Sequence, residues 1–132
     1  MRISLSMLFG AVVVAGLSAP TAAFADSHAK DGAKVFKKCA ACHTATEAKN
    51  KVGPNLLGIV DRPVASVEDY KYSKAMTAYA EATPVWTVEA LAEFLRDPRK
   101  VLKGTRMSFA GLKKDDDVEN VIAYLKDPSA AE

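Results

Sequence analysis

Apolar residues of this 132-residue chain recur every three to four positions in four segments, the spacing that lines one face of an α-helix. The first segment begins at Asp31 and leads into the only two cysteines. The second follows Ser73, the third follows Thr87, and the last begins near Asp115. No segment alternates apolar and polar residues as a half-buried strand does. The sequence therefore predicts an all-α fold.

Capping residues indicate where these helices begin and end. Ser73 and Thr87 carry hydroxyls that can accept a hydrogen bond from the first helical turn, which is the role of an N-cap. Asp97 precedes a proline and is expected to end the third helix. The segments 26–30 and 98–112 lack helical spacing, so we expect the first to be mobile and the second to form an extended loop.

The amino terminus has the pattern of a secretory signal. Arg2 supplies a basic start, residues 7–17 are apolar, and Ala23 and Ala25 form a small-x-small cleavage pattern. The apolar run is shorter than the roughly 20 residues that span a bilayer. We therefore expect residues 1–25 to be removed and residues 26–132 to form one domain in the periplasm, without a membrane span after cleavage.

The charge of the chain is nearly balanced. It has 18 Lys and Arg residues against 16 Asp and Glu residues, a formal net charge of +2. A nucleic-acid-binding domain is usually strongly basic. The composition therefore argues against a nucleic-acid partner, and the positions of the charges matter more than their sum.

Cys39 and Cys42, followed directly by His43, form the attachment motif of c-type haem. Two thiols about one helical turn apart can each add to a vinyl group of a porphyrin, and the next imidazole can bind its iron. A redox-active thiol pair would usually follow a strand in a βαβ unit, which is missing here. A structural zinc site needs four ligands, and the other histidine, His28, lies near the predicted terminus. The motif therefore favours one covalently bound haem c.

Two methionines of the predicted domain could bind the opposite face of the iron, Met76 and Met107. Met76 lies in a predicted amphipathic helix, where a core position is the simpler explanation. Met107 lies in a loop between polar residues, so the residues favour it as the ligand. Pro54 is a candidate acceptor for the second N–H of His43, because metal-bound histidines commonly donate to a carbonyl.

The axial ligands decide between functions. An iron with both axial positions filled has no vacant site for a substrate, and a thioether ligand raises its reduction potential. This combination indicates a one-electron carrier that is not an enzyme. Two alternatives stay open from the residues: a five-coordinate haem protein that binds a small ligand, and a thiol–disulfide oxidoreductase that uses Cys39 and Cys42.

Basic residues cluster in sequence around the two segments that carry the candidate ligands. The acids concentrate elsewhere, mainly near the start of the last helix. If both basic segments meet at a haem, they would steer the protein onto acidic partners. The basic residues are Lys37, Lys38, Lys51, Arg99, Lys100, Lys103, Arg106, Lys113 and Lys114.

Over residues 31–126 the sequence resembles the class I cytochromes c, in particular small bacterial members close to the mitochondrial protein. The resemblance is carried by the haem motif at 39–43 and by three further segments: Gly53-Pro54-Asn55-Leu56, the stretch 104–111, and Ile122-Ala123-Tyr124-Leu125. It implies a fold in which the first and last helices pack together around one covalently bound haem.

The resemblance also assigns roles to single residues. It implies that Met107 is the sixth ligand, that the carbonyl of Pro54 accepts from His43, and that Gly32 and Phe36 pack against Tyr124. The residues alone leave Gly32 open between close helix contact and simple tolerance of a glycine near a helix start. The resemblance further implies haem-propionate contacts for four side chains, namely Arg62, Tyr72, Trp86 and Thr105.

As an electron carrier of this family, the protein is expected to be a monomer that docks on membrane or periplasmic redox complexes. A bc-type complex, an oxidase, a reaction centre and a dehydrogenase are all possible partners. The resemblance assigns docking to Lys38, Lys100, Lys113 and Lys114. Phe94 and Met76 depart from the family, because relatives often carry tyrosine and asparagine at these positions. Both departures make the methionine side of the pocket more apolar.

Overall fold

A computed structural model describes residues 21–132 of the chain, and it describes the side chains from Asp26 onward. Residues 1–20, most of the predicted secretory signal, lie outside the described residues. The described part is helical, and its only β-type pairing is an isolated antiparallel bridge between Pro63 and Val85. The elements are α1 (Thr21–Phe36), α2 (Lys74–Ala82), α3 (Val88–Arg96), α4 (Pro98–Val101), α5 (Asp115–Lys126) and a closing 3₁₀ helix (Pro128–Ala131).

Helix α1 begins at Thr21, ten residues before the predicted start at Asp31, so the expectation of a mobile segment at 26–30 is wrong. Two tertiary contacts explain the difference. Ala29 is 1% exposed, and the His28 side chain hydrogen-bonds to the side chain of Asn120 on α5. Packing against another helix stabilises a segment whose own sequence pattern is weak.

The contact between α1 and α5 depends on Gly32. A Cβ atom at this position would lie 1.9 Å from the carbonyl oxygen of Asn120 and 2.7 Å from the Cβ atom of Tyr124. One turn later the rings of Phe36 and Tyr124 pack with their centroids 5.2 Å apart. The close approach that the family resemblance implies for Gly32 is confirmed.

The predicted caps of the central helices are confirmed. The hydroxyl of Ser73 accepts from the backbone N–H of Met76 at 3.1 Å, and that of Thr87 accepts from Ala90 at 3.1 Å. Helix α3 ends before Asp97, as predicted. The expectation of a loop throughout 98–112 is wrong at its start, where α4 forms.

Helix α4 follows from the chemistry of its first residues. Asp97 caps it by accepting from the backbone N–H of Lys100 at 3.2 Å. Pro98, the first helical residue, needs no donor there and has a fixed φ that suits a helix start. The remainder of the segment, up to Lys114, has no helix or strand.

The core lies between α1, α3 and α5 and extends under the segments that connect them. Val118 and Val121 of α5 are 0% and 1% exposed, and Phe36 of α1 and Leu91 of α3 are buried in the same cluster. Helices α1 and α5 thus form a rigid support against which the irregular segments are held. None of the described helices is both long and apolar enough to cross a membrane.

We expect Gly32→Ala to lower the free energy of unfolding by about 1–3 kcal/mol, the usual cost of overpacking. Alanine favours an isolated helix by about 1 kcal/mol over glycine, so the contact with Asn120 has to outweigh the helix propensity. The measurement is guanidinium unfolding followed by circular dichroism. Lys30→Ala, at an exposed position of the same helix, is the control and should change little. A Gly32→Ala protein as stable as its parent would contradict the close packing of α1 on α5.

Candidate haem-binding site

A cavity of about 620 Å³ opens beside the core, between the segment after α1, the segment before α2, helix α3 and the loop before α5. Its wall includes apolar residues of the core, among them Ile59, Leu91 and Leu125. All nine residues that the sequence proposes for the site line this one cavity: Cys39, Cys42, His43, Pro54, Arg62, Tyr72, Trp86, Thr105 and Met107.

The two cysteines lie on hydrogen-bonded turns that continue from the end of α1. The backbone N–H of Ala40 donates to Phe36 at 3.0 Å, and that of His43 donates to Cys39 at 2.9 Å. In each of these bonds the N–H donates to the carbonyl four residues earlier, as in an α-helix. They hold Cys39 and Cys42 about one helical turn apart on the cavity wall. Both thiols are free and half-buried, and burial raises the pKa of Cys39, so its thiol is protonated at neutral pH.

His43 is fixed by one hydrogen bond. Its Nδ1 lies 2.7 Å from the carbonyl oxygen of Pro54, and because a carbonyl can only accept, Nδ1 carries the proton. The Nε2 lone pair is therefore free for a metal ion. Burial lowers the pKa of His43, which keeps the imidazole neutral at neutral pH, the form that binds iron.

Gly53 brings the backbone against this imidazole. Its N–H donates to the carbonyl of Cys42 at 2.9 Å, so the loop folds back onto the motif. A Cβ atom at Gly53 would lie 2.2 Å from Cε1 of His43 and 2.7 Å from Nδ1. The sequence shows Gly53 only as part of a turn, because the contact with His43 depends on how the loop closes.

Arg62 offers an unsatisfied donor at the cavity. Its Nη1 donates to the carbonyl of Leu57 at 2.9 Å, and its Nη2 donates to the carbonyl of Asn55 at 2.9 Å. The Nε–H is buried and has no partner among the described residues. A buried donor on a cation requires an acceptor, and an anionic group in the cavity would supply one.

The hydroxyls of Tyr72 and Thr105 are also able to donate into the cavity. Each already accepts a backbone hydrogen bond, Tyr72 from Val67 at 3.3 Å and Thr105 from Met107 at 3.1 Å. The proton of each hydroxyl is not used by these bonds. Burial raises the pKa of Tyr72, so its phenol stays a donor at neutral pH.

Trp86 belongs to both the core and the cavity wall. It is 6% exposed, and its ring lies between those of Tyr79 and Phe94, at centroid distances of 5.7 and 5.2 Å. This stack holds the indole in place. Phe94, also buried, extends the apolar part of the wall, where a tyrosine would add a hydroxyl.

The two methionines line the same cavity from different supports. Met76 lies on α2, and Met107 lies in the loop between α4 and α5. That loop is tied to α3, since the N–H of Leu112 donates to Leu95 at 2.8 Å. Gly111, with φ at +92°, passes so close to α3 that a Cβ would lie 2.1 Å from the carbonyl oxygen of Arg96. The loop therefore holds Met107 at the cavity by its backbone.

The sequence does not assign Tyr70 or Arg106 to the site, although both line the cavity. The hydroxyl of Tyr70 donates to the carbonyl of Val52 at 3.0 Å, and the guanidinium of Arg106 donates to the carbonyl of Lys71 at 2.5 Å. The segment 70–72 thus joins the His43 side of the cavity to the Met107 side. The one sequence signal for a packed segment here is the pair Tyr70 and Tyr72, whose ring centroids lie 4.9 Å apart.

The wall suits one kind of group. It offers two thiols for covalent attachment, a neutral imidazole oriented by Pro54, and thioethers. Arg62 has no anionic partner among the described residues. The rest of the wall is largely apolar. A porphyrin has an apolar ring, a central iron and two carboxylates, so the donor set fits a haem attached through Cys39 and Cys42.

Comparisons with known proteins agree with this chemistry. The family model for cytochrome c matches residues 29–128. Cytochrome c2 of Afifella marina is 47% identical over 96 residues, covering 72% of this chain and 77% of that protein. Cytochrome c of the plant Stellaria longipes is 43% identical, covering 79% of this chain and 95% of that protein.

A solved structure shares the fold. Cytochrome cH from Methylobacterium extorquens superimposes with a TM-score of 0.68 at 36% identity, covering 74% of this chain and 96% of that one. The family model, the relatives and the fold agree with the Cys39–Cys42–His43 motif and its cavity. The chain belongs to the class I cytochromes c, a family of electron-transfer proteins that carry covalently bound haem c.

Proposed function

We propose that this cytochrome is a periplasmic one-electron carrier whose haem iron is held between His43 and Met107. The bound haem supplies the one-electron redox chemistry, and the protein orients it, limits access to it and sets its surroundings. The observation that carries the proposal is the 2.7 Å hydrogen bond from His43 to the Pro54 carbonyl. It orients a neutral imidazole beside the two attachment thiols, as an axial ligand requires.

Met107 is the proposed sixth ligand because of where it lies and how it is held. It is half-buried on the cavity wall in a loop that the N–H of Leu112 and the close contact of Gly111 fix to α3. Met76 is also half-buried against the core, but it lies on the amphipathic helix α2, where a packing role is the simpler explanation. A thioether ligand favours ferrous iron and raises the reduction potential.

We propose that the haem propionates accept hydrogen bonds from side-chain donors that have no other acceptor among the described residues. Arg62 offers its buried Nε–H, and Tyr72 and Thr105 offer hydroxyl protons. Trp86, held in its aromatic stack, screens this region from water. Together these side chains would let two carboxylates enter a mainly apolar cavity at a low desolvation cost.

A thiol–disulfide oxidoreductase is disfavoured by the state of the thiols. Catalytic cysteines of that class have a lowered pKa, because the thiolate is the nucleophile. Burial raises the pKa of Cys39 instead. Covalent attachment provides the direct test, since haem that stays with the chain in denaturant and acid would exclude free catalytic thiols.

The redox partners are proposed to be acidic faces of membrane or periplasmic complexes, met through Lys38, Lys100, Lys113 and Lys114. All four are exposed, and Lys38 also lines the haem cavity. We propose secretion through cleavage after residue 25, which leaves a single domain. Amino-terminal sequencing of the exported protein would locate the cleavage, and reduction kinetics across ionic strength would test the docking charges.

We expect Met107→Ala to abolish the near-infrared band of methionine-ligated ferric haem and to lower the reduction potential by an amount on the order of a few hundred millivolts, within the range of about 0.8 V that axial ligands control. The ferric protein should also bind added imidazole readily, since a position on the iron is opened. Met76→Leu, of similar volume, is the matched control and should keep the band. Loss of the band in Met76→Leu, with retention in Met107→Ala, would reverse the assignment.

We expect Gly53→Ala to displace the imidazole of His43, because the added methyl has no space against the ring. The haem should stay attached, while the hyperfine-shifted proton resonances of His43 move and the free energy of unfolding falls by about 1–3 kcal/mol. Gly58→Ala is the control, since no atom of the described residues other than its chain neighbours lies within 4 Å of its added methyl. With φ at +60°, that variant loses some stability but should leave the His43 resonances in place. Unchanged resonances in Gly53→Ala would contradict the role of Gly53.

A further inference from the structure

Within residues 26–132, Lys38 is the one proposed docking lysine that forms an ion pair. Its Nζ lies 3.3 Å from Oδ2 of Asp117, joining the turn after α1 to the first turn of α5. Lys113 donates to the neutral carbonyl of Ala110, and the ammonium groups of Lys100 and Lys114 have no partner in the described part of the chain. The lysine at the haem cavity is therefore the one whose charge is compensated.

We propose that Asp117 masks Lys38 in the free protein and that an acidic partner must displace Asp117 in order to bind Lys38. Asp117 thereby competes with the partner for Lys38. This competition weakens docking at the rim of the haem cavity and affects which partners bind. The inference rests on the proposed function, because it takes the cavity rim as the docking surface.

The side chain of Lys38 is freer to move than the side chain of Asp117. The side chain of Asp117 is 27% exposed and lies in the first turn of α5, where the helix dipole favours a negative charge. The side chain of Lys38 is 56% exposed and follows the end of α1. Lysine can therefore swing outward to a partner while Asp117 stays in place.

The cavity that Lys38 lines also carries an exposed apolar side chain, which suits a protein partner. Val52, another residue of the cavity wall, is 78% exposed and is the most exposed large apolar residue of the described chain. An apolar contact surrounded by charges is the usual anatomy of a protein interface. The surface that fits this rim is an acidic protein face that offers a carboxylate to Lys38 and an apolar residue to Val52.

The ion pair between Lys38 and Asp117 is weak enough for a partner to replace Asp117. Exposed ion pairs of this kind change an equilibrium by only about 1.4- to 5-fold, and salt weakens them further. A carboxylate of a partner can therefore replace Asp117 without a large barrier. Removal of Asp117 should strengthen docking by a factor within the same range.

The experiment measures binding of the haem-loaded protein to a carboxylate-terminated thiol monolayer on gold, by voltammetry at several ionic strengths. A hydroxyl-terminated monolayer reports uncharged adsorption. Asp117→Asn is compared with Asp116→Asn, which makes the same change in net charge in the same helical turn at a side chain without a partner in the described chain. Both variants are repeated in a Lys38→Gln background, and Lys100→Gln tests the docking surface itself.

We expect Asp117→Asn to raise the association constant about two- to fivefold at low salt and Asp116→Asn to raise it less. In the Lys38→Gln background the two variants should become equal. Equal effects with Lys38 present, or an excess for Asp117→Asn that survives without Lys38, would overturn the masking role. If Lys38→Gln and Lys100→Gln both bind the carboxylate monolayer as the parent does, the proposed docking surface itself is wrong, which is a separate result.

Discussion

The hydrogen bond from His43 to the carbonyl of Pro54 depends on a loop that folds back onto the haem motif, and the remaining site is built around that closure. The N–H of Gly53 donates to Cys42 at 2.9 Å, and the N–H of Leu56 donates to Thr44 at 2.7 Å. These bonds bring the loop into contact with the imidazole of His43. A side chain at Gly53 would prevent this contact. One local closure thus sets the tautomer and the orientation of His43, the proposed axial ligand, while burial lowers its pKa and keeps it neutral.

The sequence predicts those features whose cause is local. The spacing of Cys39, Cys42 and His43 is a property of a single helical turn, and the hydroxyls of Ser73 and Thr87 cap helices that follow them directly. Such features need no knowledge of the rest of the chain. The family resemblance adds the distant contact of Gly32 with α5, which the residues alone leave undecided.

The features that the sequence misses depend on residues far apart in the chain. The first turns of α1 are helical because Ala29 is buried and His28 meets Asn120, 92 residues away. The unsatisfied Nε–H of Arg62 becomes visible only when its other donors are seen to be used by the backbone at 55 and 57. The charge of Lys38 is offset by a carboxylate 79 residues away, so clusters of lysine in sequence do not measure local potential.

The cavity has a polar side and an apolar side, and the difference between them affects the reduction potential of a bound haem. Burial lowers the pKa of Arg62 and raises the pKa of Tyr72, and the interaction between the two groups partly offsets both shifts. Both side chains can donate to an anion. The wall around α3 and Met76 is apolar, with Phe94 in place of a hydroxyl-bearing side chain. An apolar wall disfavours the extra charge of ferric haem, while buried cationic and polar donors offset the carboxylates. We expect the balance between these two parts of one cavity to adjust the reduction potential around the value that the proposed ligands His43 and Met107 set.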